Sequence, residues 1–310
     1  MVGLPGKSGG AVRIELRVQY LAVRRAFVVV LFAVGSIGPV GAFSSFVSGC
    51  GGEVLGDGEG KNQDGTIDGD SGKQADRREA GVTLDGCPEG LPGPELIPLI
   101  ENGGLPYCVD STEVTNAQYQ SFVAANVAAS SQASICSQNS SFLPLFGWPA
   151  ASADADRPVV NIDWCDARAF CTWAGKKLCG APGGTSGPAH DDKNADTSLL
   201  YAACSNLGAR VFPYGDTYQP STCNGADNDI AATLDVNLPA TCTDSSSRIF
   251  GSSGNVWEWE DACESNDPLA RCRLRGGSFR SNADSLDCAA SDLAARNSAF
   301  DDFGFRCCAE

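Results

Sequence analysis

The sequence predicts an α+β domain that is rich in loops and stapled by disulfides. Two stretches carry apolar residues at helical spacing, and the strand-like runs between turns are short. The 310 residues also include 36 glycines, 16 prolines and 15 cysteines, a composition of turns held by bridges. A chain of this length can bury a core without a metal. It has one histidine, His190, in the loop-like stretch GPAHDDKN, and no Cys-x-x-Cys pair. The usual zinc spacings and most histidine-dependent chemistry are therefore excluded, and His190 is read as exposed and idle. Cysteine at this density points to an oxidising compartment.

Residues 1–49 read as an export signal. Lys7, Arg13, Arg17, Arg24 and Arg25 precede an uncharged run from Ala26 to Gly49. The run ends in Val47-Ser48-Gly49-Cys50, which is similar to the bacterial lipobox, whose cysteine is lipidated and becomes the mature N-terminus. Pro39 and the small residues before Cys50 favour that reading over a transmembrane anchor of similar length. The expectation is an exported protein, lipid-anchored through Cys50 to the bacterial cell envelope, at the outer membrane. Without Cys50 the cysteine count is even, which suits a fully bridged domain.

Residues 50–85 form the next segment, rich in Gly, Asp, Glu, Lys and Gln. So few large apolar side chains cannot offset chain entropy, so a flexible tether is expected. Within it, Asp64–Gly72 resembles a calcium loop without the closing glutamate. The whole chain carries a net charge of −16, and loss of the basic leader makes the remainder more acidic still. Such a surface repels nucleic acid and anionic headgroups, leaving the lipid on Cys50 as the only membrane attachment.

Residues 86–310 read as one globular domain. Prolines punctuate an extended lead-in, and Tyr107-Cys108-Val109 follows as a strand. Thr115 and Gln118 form a capping box for a first helix, in which Tyr119, Phe122, Val123 and Val127 recur on one face. Ala128 to Asp156 reads as a long surface excursion with an apolar knot at 142–148. Asp163 caps a second helix with Ala167, Phe170, Cys171 and Ala174 as its buried stripe and Gly175 closing it. Lys176 and Lys177 would complement the helix dipole. Gln219 to Thr243 is loop, with Cys223 and Cys242 as available staples. Cys263 and Cys272 bracket a short polar loop and are expected to pair. Cys307 and Cys308 are expected to reach separate partners.

Five blocks carry a resemblance: YCVDSTEVTNAQYQSF (107–122), RPVVNIDWCDARAFCTWAGKKL (157–178), GNVWEWED (254–261), RLRGGSF (273–279) and GFRCC (304–308). Their order and spacing resemble the formylglycine-generating enzyme, or sulfatase-modifying-factor, family from roughly Cys87 onward. Phe212-Pro213-Tyr214-Gly215-Asp216 matches a further family turn. The chain departs from the family after Leu178, where a Gly/Pro/Asp-rich insertion delays the pattern to Leu200–Cys204. The resemblance implies a C-type-lectin-like fold in which loops outweigh regular elements. It also implies two candidate calcium sites, one at Asn224 and Gly225, the other at the carbonyls of Gly254 and Val256 with the carboxylate of Glu258. A family asparagine ligand falls on Gly251. The alternative for Glu258 is an ion pair with an arginine such as Arg275.

In catalytic members, the Gly-Gly-Ser turn is followed by two cysteines that bind copper(I), and oxygen then converts a substrate cysteine to formylglycine. Counted from Ser278, those positions are Ser281 and Leu286. Neither supplies a thiolate, so copper is not expected. The histidine cluster of the iron-dependent branch is missing too. The reading that follows is a non-catalytic module binding a peptide, glycan or protein; the alternative is a formylglycine-generating oxidase acting on sulfatases.

Overall fold

A computed structural model describes residues 86–99, 107–190, 193–243 and 247–310. The expected signal segment, the Cys50 lipidation site and the tether to residue 85 lie outside the described residues. Strands β1 (Leu96–Leu99), β2 (Tyr107–Asp110), β3 (Lys177–Leu178) and β8 (Cys307–Ala309) form an antiparallel sheet in the order β1-β2-β8-β3. A second sheet has the order β6-β5-β4-β7, from β4 (Trp257–Cys263), β5 (Arg271–Arg275), β6 (Ser291–Ala295) and β7 (Phe303–Gly304). Its β4–β7 pairing is parallel and the others are antiparallel. The α-helices among the described residues are α1 (Asn116–Ala124), α2 (Trp164–Trp173) and α3 (Leu199–Ser205), with five short 3-10 turns in the loops.

Helix α2 starts and stops where the sequence says it should, whereas α1 starts at its expected cap but ends at Ala124, short of Val127. Thr115 accepts from the Gln118 amide and Gln118 reaches back to the Thr115 amide, a complete capping box. Asp163 and Asp166 make the same reciprocal arrangement on α2. At its other end Gly175 takes φ +73°, its N–H bonds to Thr172 O, and the Lys176 N–H bonds to Cys171 O. That pair of bonds is the Schellman closure, which favours glycine at the left-handed position. α1 and α2 bury an aromatic cluster: Tyr119 stacks on Phe170 at 5.7 Å, and Phe122, Phe305 and Trp173 pack edge-on or tilted around them. The Tyr119 hydroxyl donates to Phe142 O at 2.7 Å, so the ring is buried with its polar tip satisfied.

The stretch Ala128–Asp156 departs from the expected surface excursion. Cys136 and Phe142 are buried, and Trp148 packs on Tyr119 at 5.7 Å. A Cys136–Cys165 disulfide holds the loop against α2. Leu143, Leu145 and Phe146 stay more than half exposed. Lys176, expected to complement the helix dipole, also has a tertiary partner. It is buried, 2.5 Å from Asp110 Oδ1, and donates to Pro94 O. Burial pushes the Asp110 carboxyl up to about 6, with Lys176 pulling the other way.

All 14 cysteines from Cys87 onward pair: 87–108, 136–165, 171–307, 179–308, 204–288, 223–242 and 263–272. The adjacent Cys307 and Cys308 do reach separate partners, because neighbouring strand residues point to opposite faces. One points toward α2 and the other toward the segment that follows β3. Their bridges close the longest loops, 136 and 129 residues in sequence. In the loop-entropy estimate such a closure is worth about 5 kcal/mol.

Two outcomes follow for stability. A thiol reagent applied to the denatured, unreduced protein should find no more than two reactive thiols; four or more would contradict the pairing, and reduction should lower Tm sharply. Lys176→Met should destabilise by roughly 3–5 kcal/mol, because it leaves the Asp110 charge buried and unpaired. The loss should be smaller at pH 5 than at pH 8, since protonating Asp110 removes that charge, and Asp110→Asn in the same chain should recover most of it. Equal losses at both pH values in denaturant melts would show that the ion pair is not the cause.

Candidate functional site

The turn that follows β5 is built on glycine. Gly276 and Gly277 take φ +88° and +77°, and a Cβ on Gly277 would run into the Ser285 carbonyl. The turn buries Ser278, whose hydroxyl donates to Asp302 Oδ2 at 2.9 Å and accepts the Arg280 N–H at 3.2 Å. Ser281 Oγ in turn accepts the Ser278 N–H at 3.0 Å. Leu286 is buried beside it. Ser281 Oγ and Leu286 Cδ2 lie 3.1 and 3.2 Å from the point that a Gly277 Cβ would take.

The two positions at which the family resemblance implies copper thiolates are thus brought side by side over the glycine turn. What they present is a hydroxyl and an isobutyl group. Cys288, the nearest cysteine in sequence, is bridged to Cys204. A hydroxyl, a hydrocarbon and a disulfide do not fit copper(I), which takes soft thiolates. The Ser278 hydroxyl meets a carboxylate, Asp302, rather than an imidazole. His190 is far from that role: its side chain is 69% exposed and stands 3.4 Å from Glu264 Oε1.

The two turns singled out for calcium also meet. Asn224 O accepts the Asn255 N–H at 2.8 Å, and Asn224 Nδ2 donates to Asn255 Oδ1 at 3.0 Å. Asn224 Nδ2 also donates to Ala232 O, while its Oδ1 accepts from Asn228. Gly225 packs under Leu286, and Gly254 packs on Asn224, each too close to admit a Cβ. Val256 is buried directly ahead of β4. Glu258 on β4 is claimed by an arginine, but by Arg306 rather than Arg275: Arg306 Nε and Nη2 donate to its two oxygens at 2.7 and 2.6 Å. Arg275 instead pairs with Glu260, alongside Arg273.

At Gly251 the carboxylate of Glu113 fills the space in which a side chain would begin. Glu113 is fully buried, its Oε1 accepts from Asn255 Nδ2 at 2.9 Å, and its Oε2 has no hydrogen-bond partner. Burial, with the nearby Glu258 charge adding and Arg306 opposing, pushes its carboxyl up to about 8. With Asn224 engaged on both its amide atoms, no side chain at 251, and Glu258 neutralised by Arg306, this donor set does not fit a calcium ion held through Glu258.

Sequence reasoning missed Glu113, Asp302 and Arg306 as partners. Arg306 and Glu113 lie inside the blocks GFRCC and STEVTN, so the blocks themselves were the signal. Spacing along the chain, however, does not tell which carboxylate an arginine will meet.

Comparison with known proteins places this geometry. The chain is 30% identical over 166 residues to the Bos taurus protein named inactive C-alpha-formylglycine-generating enzyme 2, covering 48% of this chain and 49% of that one. It is 25% identical over 184 residues to the Bos taurus formylglycine-generating enzyme, covering 50% and 44%. The chain thus spans about half the length of these curated relatives. Among solved structures, PvdO from Pseudomonas aeruginosa matches with a TM-score of 0.46 and 17% identity, over 66% of this chain and 80% of that one. Residues 103–310 match the sulfatase-modifying factor enzyme 1-like domain, and the chain belongs to that family.

Proposed function

We propose that this protein is a non-catalytic member of its family, exported and held to the bacterial cell envelope by a lipid on Cys50, with the domain serving to bind a peptide, glycan or protein partner. One observation carries the reading. Ser281 and Leu286 stand together at the turn where catalytic members place two thiols, and every described cysteine is bridged. Oxygen activation at copper needs the missing pair, whereas binding by loops needs only the retained scaffold. Similarity to a protein named as inactive supports the same reading. The strongly acidic composition argues against nucleic acid as the partner.

The decisive assay supplies copper, oxygen and a peptide bearing Cys-x-Pro-x-Arg, and looks for the aldehyde by mass spectrometry. No aldehyde is expected. Turnover would overturn the reading in favour of an oxidase, and its loss on Cys288→Ser would locate the centre there.

For the anchor, Cys50→Ser in the full chain should abolish lipid labelling and leave the leader uncleaved. Normal processing and unchanged partitioning into detergent would rule the lipid out.

A further inference from the structure

Residues 114–153 contain no Asp, Glu, Lys, Arg or His, in a chain of which 19% is charged and whose net charge is −16. The first part of that stretch is α1, whose aromatic residues lie in the core. The second part is the loop that follows, with the run Phe142-Leu143-Pro144-Leu145-Phe146. Phe142 and Pro144 are buried, whereas Leu143, Leu145 and Phe146 are 53, 61 and 68% exposed. Large apolar side chains clustered in this way on a surface mark a place of interaction.

The loop is held firmly in this shape. Tyr119 Oη donates to Phe142 O, the Leu143 N–H to Ser141 Oγ, and the Leu145 N–H to Asn161 O. The Cys136–Cys165 bridge and the ring contact of Trp148 with Tyr119 fasten its two ends. Three apolar side chains are thus presented on a backbone that need not be ordered on binding. Asn161 also bonds through its N–H to the carbonyl of Phe300, a ring that is 53% exposed. The charges that follow along the chain are paired, Asp154 with Arg157 and Asp301 with Arg280.

Two considerations choose the occupant. A protein that docks on an acidic chain is steered by opposite charge, and this stretch offers none. A bilayer interface, in contrast, takes leucine and phenylalanine into its headgroup–acyl boundary, and this stretch has no acidic group to repel anionic headgroups. The lipid proposed for Cys50 would also keep such a surface near. A flexible chain as long as residues 50–85 spans roughly 30–36 Å, within reach of a domain of this size.

We propose that Leu143, Leu145 and Phe146 dip into the interface of the membrane to which Cys50 attaches the chain, and so orient the domain on it. The inference rests on the anchored reading for delivery to the membrane and is independent of the glycine turn. Net charge averages over the whole surface and conceals this uncharged loop, which adds a second contact to the lipid.

The test uses the full chain, processed in an exporting bacterium and reconstituted into phosphatidylcholine vesicles. Phe146→Trp places a fluorophore on the loop, and Val211→Trp places one at another exposed apolar position, 44% exposed. With acyl-brominated phosphatidylcholine, the emission added by Phe146→Trp should fall by about half or more, since an interfacial side chain reaches the acyl boundary. The emission added by Val211→Trp should not change, and Tm should match the wild type in both variants. An unquenched Phe146→Trp, or equal quenching of the two, would overturn the proposal. So would a doubled mass in lipid-free detergent solution that Phe146→Gln returns to a monomer, which would assign the loop to a second copy. A chain with no lipid label but a quenched loop would remove the anchor and leave the loop contact. A labelled chain with an unquenched loop would remove the loop contact alone.

Discussion

The bidentate pair between Glu258 and Arg306 is the contact on which the architecture depends. Glu258 belongs to the sheet built on β4 and β5, and Arg306 lies between β7 and β8, where the chain passes from that sheet to the other. The remaining Arg306 donors reach Asp110 O on β2 and Phe250 O on the loop before β4. Both ions are almost fully buried. A buried pair is costly to desolvate, and it persists only where geometry and additional hydrogen bonds satisfy both partners, as they do here. Cys307 and Cys308 follow at once, so one residue pairs the sheets electrostatically and the next two fasten the same strand covalently.

Around this pair the interior is charged to an unusual degree. Asp110 meets Lys176, and Glu260 meets Arg273, Arg275 and the Ser198 hydroxyl. Attraction from the two arginines outweighs burial at Glu260 and holds its carboxyl below the usual range. Glu113, with no cation of its own, goes the other way. The strands are short and the loops long, and buried ion pairs together with seven bridges tie those loops down.

The glycine turn is held by contacts that are independent of any chemistry at positions 281 and 286. Positive-φ glycines, the Ser278–Asp302 hydrogen bond and the approach of Gly225 to Leu286 all serve the shape of the turn. None of them requires sulfur at 281 or 286. Leu286 in particular fills the space between two glycine turns, so the substitution has a packing role of its own.

Local rules were legible in the sequence: the capping box of α1, the Asp163 cap of α2, the glycine after α2, the buried stripe of α2 and the local Cys263–Cys272 bridge. Each depends on residues a few positions apart, whose relation is set by the period of a helix or the geometry of a turn. Partners distant in sequence were decided by tertiary structure. Arg306 rather than Arg275 meets Glu258, Lys176 is drawn inside by Asp110, and the loop after α1 is pulled into the core by Phe142 and Cys136. The reason is that an ionic or apolar side chain advertises its need for a partner without naming it. Only the packing of strands β2, β4 and β8 brings residues some 50 to 200 positions apart within hydrogen-bond reach.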